Sequence, residues 1–239
     1  MKRKLDFNIL QFLTNKKIKI KKKYLRERRL DFLKNLILKR KRLRVLEFGT
    51  GISTLIISKS LLINKLKYEK LTKNFRGKNY KCYSLDNNNR YLKISKKNIK
   101  FLKLDNICKL FFVNLKMEIY KGDIVASCNK LPNINPDLIY LDGPDQSKIK
   151  GNYKNINFSD NSFTPIQSDI LKMESFLVPG TIILIDGRTN NALYFKRKLY
   201  RKWKYKYIKS YDQHIFELKD KPLGKYNKNL LNFYKSKKI

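Results

Sequence analysis

The 239-residue chain has few cysteines, few acidic residues and no long apolar segment. Its three cysteines, Cys82, Cys108 and Cys128, are odd in number and widely spaced, and no CxxC pair occurs, which argues against a zinc site and a disulfide framework. No apolar run approaches the ~20 residues that span a bilayer. No uninterrupted apolar core follows the basic N-terminus, so a signal peptide is not expected. These absences predict a protein of a reducing, cytoplasmic compartment.

Acidic residues are outnumbered by basic ones, with 19 Asp and Glu against 56 Lys and Arg and a formal net charge of +37. Such a surplus favours polyanionic partners, such as nucleic acid, anionic lipid or phosphorylated substrates. Residues 1–44 alone hold 18 basic and 3 acidic residues. Lys far outnumbers Arg, however, and codon bias in an AT-rich genome produces the same composition. A functional origin and a compositional origin of the charge therefore both fit.

From residue 43 onward, short apolar runs alternate with segments of helical spacing. Strands are predicted at 43–48, 80–86, 136–142, 181–186, 202–207 and 214–219, and the stretch 109–128 is strand-rich with a hairpin turn at 121–123. Helices are predicted after Gly51, from Asn87–Asn89 to about Ile99, from Thr164 with Pro165 and Gln167 in its first turn, and from Thr189 or Asn190.

This alternation predicts an α/β protein with a Rossmann-like, doubly wound and mostly parallel sheet, covered by helices on both faces. The last two strands are expected to pair antiparallel, because 208–213 is only a turn. We expect a basic helical N-terminal extension at 1–42, the α/β domain at 43–219, and a basic C-terminal tail at 220–239 that is ordered by docking.

The stretch RVLEFGTGISTLIIS (44–58) places an acid and two glycines between a strand and a helix. Gly49 and Gly51 allow unusual dihedral angles and let a ligand approach the backbone closely. The third glycine of a dinucleotide-binding GxGxxG turn is missing. Glu47 would repel a pyrophosphate but would suit a cationic amino-acid group.

VLEFGTGIS resembles the first motif of class I S-adenosylmethionine-dependent methyltransferases, E/D-x-G-x-G-x-G, with Ser53 in place of the third glycine. The resemblance covers about residues 43–218. It implies that the loop holds the methionine part of S-adenosylmethionine, and that Asp86 accepts hydrogen bonds from the ribose hydroxyls. The cofactor-binding residues expected on this resemblance are Glu47, Gly49, Thr50, Gly51, Ser53, Asp86 and Asp142.

Two further acids end predicted strands, Asp142 in DLIYLDGPDQ and Asp186 in LIDGRTNN. Transfer of a methyl group to a hydroxyl requires removal of its proton, by a base or by a metal that lowers its pKa. Asp142 is a candidate base. Alternatively, Asp142 and Asp186 hold Mg²⁺, with Asn190 or water completing an oxygen shell. In a third interpretation, these acids cap helices or line the cofactor pocket without chemistry.

The remaining candidates lie around the same predicted sheet edge. Asp145, Gln146 and Arg188 are candidate acceptor-binding residues, although Arg188 would equally pair with Asp142 or Asp145. His214, the only histidine, is either a second catalytic base or a structural residue. DGPDQ lacks the aromatic residue that follows Asn/Asp-Pro-Pro in enzymes that methylate base amines, which disfavours that activity.

Three functions fit these features. LDGPDQ, PGTIILIDGRTNNA and DQHIFELKDKPLGKYN resemble uncharacterised bacterial methyltransferase-like proteins associated with surface-glycan biosynthesis. That resemblance implies O-methylation of a small molecule, a sugar or a glycan precursor. The alternatives are an RNA methyltransferase that uses the basic N-terminal segment to bind nucleic acid, and a non-catalytic protein that keeps the cofactor-binding fold.

Overall fold

In a computed structural model, residues 8, 11–13, 27–158, 160 and 162–236 are described. The strands are β1 (Arg44–Phe48), β2 (Lys81–Asp86), β3 (Cys108–Phe112), β4 (Leu115–Tyr120), β5 (Asp123–Cys128), β6 (Leu138–Leu141), β7 (Ile182–Asp186), β8 (Trp203–Ile208) and β9 (Gln213–Leu218). The helices are α1 (Glu27–Lys39), α2 (Ile52–Thr72), α3 (Asn89–Phe101), α4 (Asp169–Met173), α5 (Thr189–Lys198) and α6 (Gly224–Lys235). Most of the basic run predicted as helical before residue 27 lies outside the described residues.

A seven-stranded sheet has the order β3-β2-β1-β6-β7-β9-β8, and β4 and β5 form a separate hairpin. Five neighbouring strands of this sheet, β3, β2, β1, β6 and β7, are parallel. Strand β9 runs antiparallel to both of its neighbours, β7 and β8. This arrangement confirms the predicted α/β class and the antiparallel final pair. The strand order reverses between β1 and β6, where an open parallel sheet forms its ligand crevice.

Successive residues of each central strand point to opposite faces, so the sheet has a core on each side. One face packs against α1, α2, α3 and α6, which contribute residues such as Leu33, Ile56, Ile99 and Phe233. The other face packs against the β4–β5 hairpin, α4 and α5. A hairpin therefore takes the place of a helix in this second layer.

The segments that flank the predicted domain also reach the core. Leu33 of α1 and Phe233 of α6 are both buried. The buried carboxylate of Asp137 accepts hydrogen bonds from the backbone of Leu43 and, at 2.7 Å, from the hydroxyl of Tyr234 in α6. The division of the chain at residues 42 and 219 stays a prediction. Among the described helices, none combines the length and the apolar character that crossing a bilayer requires.

Two local predictions are confirmed. The turn predicted at 121–123 lies between β4 and β5, and Lys121 and Gly122 adopt positive φ values of 50° and 83°. The cap predicted at Asn87–Asn89 is provided by Asn88, whose side chain accepts a hydrogen bond from the backbone N–H of Arg90.

The prediction that Thr164 begins a helix is wrong, because α4 begins at Asp169. The backbone N–H of Ala126 donates to the carbonyl of Ile166 at 2.8 Å, and the N–H of Ser168 donates to the carbonyl of Ala126 at 2.9 Å. These bonds place residues 166–168 alongside β5. Pairing with a distant strand therefore overrides the local capping pattern.

Candidate functional site

Four predicted site residues lie in one row across the carboxyl ends of the central strands: Asp86, Gly49, Asp142 and Asp186. Each of them directly follows a strand residue, and these four strand residues are aligned with one another in the parallel register. The four site residues therefore lie at the same height along the strands. The aligned residues are Leu85, Phe48, Leu141 and Ile185. The sheet thus brings the glycine loop and three carboxylates to the crevice where its strand order reverses.

Gly49 makes a backbone contact that a side chain would prevent. Its φ is +100°, and an added Cβ would lie 2.5 Å from both N and Cα of Gly143. The carbonyl of Phe48 also accepts hydrogen bonds from the backbone N–H groups of Asp142, at 3.0 Å, and Gly143, at 2.6 Å. The loops after β1 and β6 are therefore joined backbone to backbone.

Gly51 has a different environment. Its φ of 179° is extended backbone, which any residue adopts, and an added Cβ would meet no atom within 4 Å. Its N–H donates to the hydroxyl of Thr54 at 2.9 Å. The space beside Gly51 is open, so the missing side chain leaves room next to the start of α2.

Glu47 is completely buried beneath this loop. The hydroxyls of Ser53 and Thr54 donate to its two carboxylate oxygens, each at 2.6 Å. Burial raises the pKa of Glu47 to about 7, while these hydrogen bonds act in the opposite direction. In this structure Glu47 and Ser53 fix the first turn of α2, and direct contact with a cofactor stays a prediction for both.

Asp86 links the end of β2 to the glycine loop. Its carboxylate accepts hydrogen bonds from the backbone N–H groups of Thr50, at 2.7 Å, and Asn88, at 2.8 Å. The hydroxyl of Thr50 lies 2.8 Å from that of Ser84. Burial raises the pKa of Asp86, and the backbone donors oppose that shift. Each carboxylate oxygen has a further lone pair with which to accept a ligand hydroxyl.

The loop after β6 is held against its neighbours on both sides. Asn87 and Asp145 exchange hydrogen bonds, from the Asn87 amide to the Asp145 carbonyl at 2.7 Å and from the Asp145 N–H to the Asn87 side-chain oxygen at 3.2 Å. The side-chain amide of Gln146 donates to the carbonyl of Pro165. Asp145 and Gln146 thus lie over the crevice because their loop is tied to β2 and to the chain before α4.

Arg188 reaches the same loop from the end of β7. Its Nε donates to the carbonyl of Asp142 at 3.1 Å and its Nη2 to that of Pro144 at 2.8 Å, whereas Nη1 is buried without a hydrogen-bond partner. Burial lowers the pKa of Arg188, and the charges of Asp142, Asp145 and Asp86 act to raise it. The guanidinium of Arg188 therefore lies among several carboxylates in the crevice, and Asp142 is exposed there.

Asp186 is engaged by protein groups. Arg29 of α1 donates to its Oδ1 at 2.8 Å, and the hydroxyl of Tyr140 donates to its Oδ2, also at 2.8 Å. Arg29 also pairs with Asp212 at 2.9 Å. Across the described part of the chain, no group of three or more His, Cys, Asp or Glu side chains is arranged to hold a metal ion. The side-chain amide of Asn190, the residue expected to complete a metal shell, donates to the carbonyl of Thr164 at 2.7 Å.

His214 is buried between strands rather than in the crevice. Its Nε2 lies 3.1 Å from the hydroxyl of Thr189 and its Nδ1 lies 3.0 Å from that of Tyr205. Tyr207 stacks on the ring at 4.4 Å. Burial lowers the pKa of His214. These contacts favour the structural interpretation that the sequence left open, and a catalytic role stays a prediction.

Several contributors were missed by sequence reasoning, among them Asn87, Gly143 and Arg29. Asn87 follows the acid of β2 directly, and a polar residue beside a strand-end acid was a usable signal. Gly143 is part of the DGP sequence, but nothing in that sequence indicates that its backbone contacts Gly49. No local signal could place Arg29 on Asp186, because 157 residues separate them.

No protein-family model and no curated protein sequence matches the chain. Among solved structures, the S-adenosylhomocysteine-bound methyltransferase PaMTH1 of Podospora anserina matches 90% of this chain and 89% of its own, at 14% identity and a TM-score of 0.51. An O-methyltransferase from Bacillus cereus matches over 89% of both chains at 12% identity and 0.45. The O-methyltransferase TomG from Streptomyces achromogenes matches over 90% and 91% at 8% identity and 0.44.

The similarity to PaMTH1 extends over 90% of this chain and therefore includes the seven-stranded sheet. The chain has the fold of the class I S-adenosylmethionine-dependent methyltransferases.

Proposed function

We propose that this protein is an S-adenosylmethionine-dependent methyltransferase that methylates an oxygen of a small molecule, a sugar or a glycan precursor. The observation that carries the proposal is the hydrogen bond from the Thr50 N–H to Asp86. It joins the glycine loop to Asp86, the acid that would accept hydrogen bonds from a ribose diol.

The residues present fit the cofactor. The space beside Gly51 is open, and the carboxylates of Asp86 and Asp142 lie on either side of Gly49 in the same row. Asp86 would accept from the ribose hydroxyls, and the backbone of Gly49–Gly51 would lie against the methionine part. The bound cofactor supplies a methyl group on a positively charged sulfur. Nearby carboxylates favour that charge.

Asp142 is the base in this proposal. It is exposed at the centre of the row, and Arg188 and the Phe48 carbonyl hold its backbone in place. Its carboxylate takes the proton of the acceptor hydroxyl while the oxygen attacks in line. Asp145, Gln146 and Arg188 form the acceptor side. Nη1 of Arg188 is a buried donor without a partner, and an acceptor oxygen would satisfy it.

Mg²⁺ dependence remains part of the proposal to be tested. Asp142 and Asp186 are neighbours in the row, but a metal bound by Asp186 would have to displace Arg29 or Tyr140. A cytoplasmic location is likewise proposed. It is supported by three cysteines that are buried and unpaired, as expected in a reducing compartment.

The first test is calorimetric titration of the protein with S-adenosylhomocysteine, with and without Mg²⁺. Binding with a Kd on the order of micromolar is expected in both conditions. Asp86→Ala should weaken it strongly, whereas the matched variant Asp105→Ala, which removes an exposed acid after α3, should not. Absence of binding in both conditions would overturn the proposal and favour a non-catalytic protein.

Once an acceptor is known, Asp142→Asn should bind S-adenosylhomocysteine normally and lose turnover. Retained turnover would exclude Asp142 as the base.

A further inference from the structure

A lysine-lined cleft lies at the amino end of β2, whereas the site described above lies at the carboxyl ends of the strands. It has a volume of about 600 Å³ and is formed by the second half of α2, the start of β2 and the turn before β3. Its lining contains four lysines and a single acidic residue, Glu69. The lining lysines are Lys65, Lys70, Lys73 and Lys81.

The charges around this cleft repel one another. The pKa of Lys81 is lowered, first by burial and then by the charges of Lys109, Lys65 and Lys78. Four lysines thus line the concavity, and Lys78 and Lys109 act on Lys81 from beside it. Glu69 offsets this only weakly, because it is exposed and lies 3.5 Å from Lys65. The concavity has the field expected of a site for a polyanion.

We propose that this cleft binds the phosphate backbone of a single-stranded nucleic acid. A groove lined by lysines can follow the backbone of a flexible strand, whereas a rigid duplex would be held at the rims. The amide of Asn79 and the aromatic ring of Phe75 also line the cleft, and the Oδ1 of Asn79 is buried without a hydrogen-bond partner. A nucleotide base offers the donors that such an oxygen lacks.

The shape of the cleft disfavours a lipid bilayer as its partner. A protein that docks on a membrane inserts exposed apolar side chains between the headgroups. Of the large apolar side chains of this lining, Tyr80 and Ile107 are both 4% exposed, and Phe75 is half-buried and packs edge-on against Phe233. The exposed Leu66 and Leu71 of α2 lie outside the lining, so the concavity itself offers lysines to a strand that enters it.

This surface is separate from the proposed methyl-transfer site. The cleft contains Lys81, the first residue of β2, and Asp86 is the last. Six residues of a strand span about 17 Å. The nucleic acid would therefore be anchored on the edge of the sheet opposite to the cofactor.

The test compares two variants with equal loss of charge. One replaces Lys70, Lys73, Lys78 and Lys109 with Gln, all of which are exposed. The matched control replaces Lys202, Lys204, Lys206 and Lys209, which are also exposed and lie in or beside β8 at the far end of the sheet. Binding of a fluorescently labelled single-stranded RNA is measured for the wild type and both variants across a series of salt concentrations.

The cleft variant should lose at least about tenfold in affinity near 0.1 M salt, and the slope of log K against log salt should shrink by about 3, as for four phosphate contacts. The control should change only a few-fold, through net charge. Both variants should bind S-adenosylhomocysteine as the wild type does, which keeps this test independent of the methyltransferase proposal.

Equal losses of RNA affinity in the two variants would overturn the proposal. They would show that binding depends on the net charge of the protein and not on this cleft. Tighter binding to vesicles that contain anionic lipid than to RNA, lost in the cleft variant, would also overturn it in favour of a membrane.

Discussion

The backbone N–H of Thr50 lies 2.7 Å from Oδ2 of Asp86, so a residue of the glycine loop is bonded directly to the acid that ends the neighbouring strand. The two residues are 36 positions apart, and the parallel pairing of β1 with β2 makes them neighbours. One carboxylate therefore shapes the loop and faces the ligand crevice. Loss of Asp86 should consequently affect both stability and binding.

We predict that Asp86→Ala lowers the free energy of unfolding by about 1–3 kcal/mol, because a buried backbone donor, that of Thr50, and a part-buried one, that of Asn88, lose their acceptor. Its affinity for S-adenosylhomocysteine should fall by at least about tenfold. Urea unfolding and calorimetry measure the two effects. Asp86→Asn is the control, since it keeps one side-chain oxygen, and it should retain more of the stability than of the binding. Wild-type affinity in Asp86→Ala would disprove the ribose assignment.

The two glycines should respond differently to the same substitution. Gly49→Ala should destabilise the fold by about 2 kcal/mol or more, because φ is +100° and the new Cβ meets the Gly143 backbone. Gly51→Ala should cost no more than about 1 kcal/mol, because its backbone is extended and the space is open. It should nevertheless weaken cofactor binding, since the methyl group enters the proposed site. The assignment of that space would be wrong if Gly51→Ala bound normally.

Glu47 should give the stability an unusual dependence on pH. Its pKa in the folded protein is raised from 4.5 to about 7, so the stabilisation is fully present below 4.5 and is lost as the pH rises through 7. The loss should reach up to about 3 kcal/mol. Glu47→Gln cannot ionise, and the difference in unfolding free energy between wild type and variant should follow this window. A difference that stays constant from pH 4 to 8 would contradict the shift.

Arg188 should influence the choice between cofactor and product. S-adenosylmethionine carries a positive sulfur that S-adenosylhomocysteine lacks, and the guanidinium lies beside Asp142. Removing that charge with Arg188→Gln should raise the preference for S-adenosylmethionine several-fold, since a charge about 10 Å away contributes on the order of 1 kcal/mol. Arg188→Lys, which keeps the charge, is the control. Equal affinity ratios in both variants and the wild type would place the guanidinium too far from the cofactor to matter.

The ion pair between Arg29 and Asp186 should stabilise the packing of α1 on the sheet. Arg29 is 20% exposed and Asp186 is 4% exposed, so the pair is only weakly screened by solvent. A double-mutant cycle of Arg29→Gln and Asp186→Asn should give a coupling free energy of about 1–2 kcal/mol in urea unfolding. Additive effects of the two substitutions would show that the contact contributes nothing measurable.

Local sequence patterns were sufficient for most of the architecture. Alternation of apolar strands with amphipathic segments predicted the α/β class, and the short turn at 208–213 predicted the antiparallel last pair. Asn88 caps α3 through its own side chain, so its signal lies within a few residues of its effect. Thr164 shows the limit of such signals. The helix predicted to begin there does not form, because Ile166 and Ser168 pair with Ala126, which is far away in the chain.

The sequence by itself determined which residues stand at the ends of strands, since Gly49, Asp86, Asp142 and Asp186 each follow an apolar run. Only the tertiary structure decided what each one contacts. Gly49 is needed for its approach to Gly143, whereas Gly51 borders open space. Asp142 is exposed in the crevice, whereas Asp186 is held by Arg29 and Tyr140. The physical reason is that a strand end is set by nearby residues, but its contacts depend on strand register and on helices that pack from distant parts of the chain.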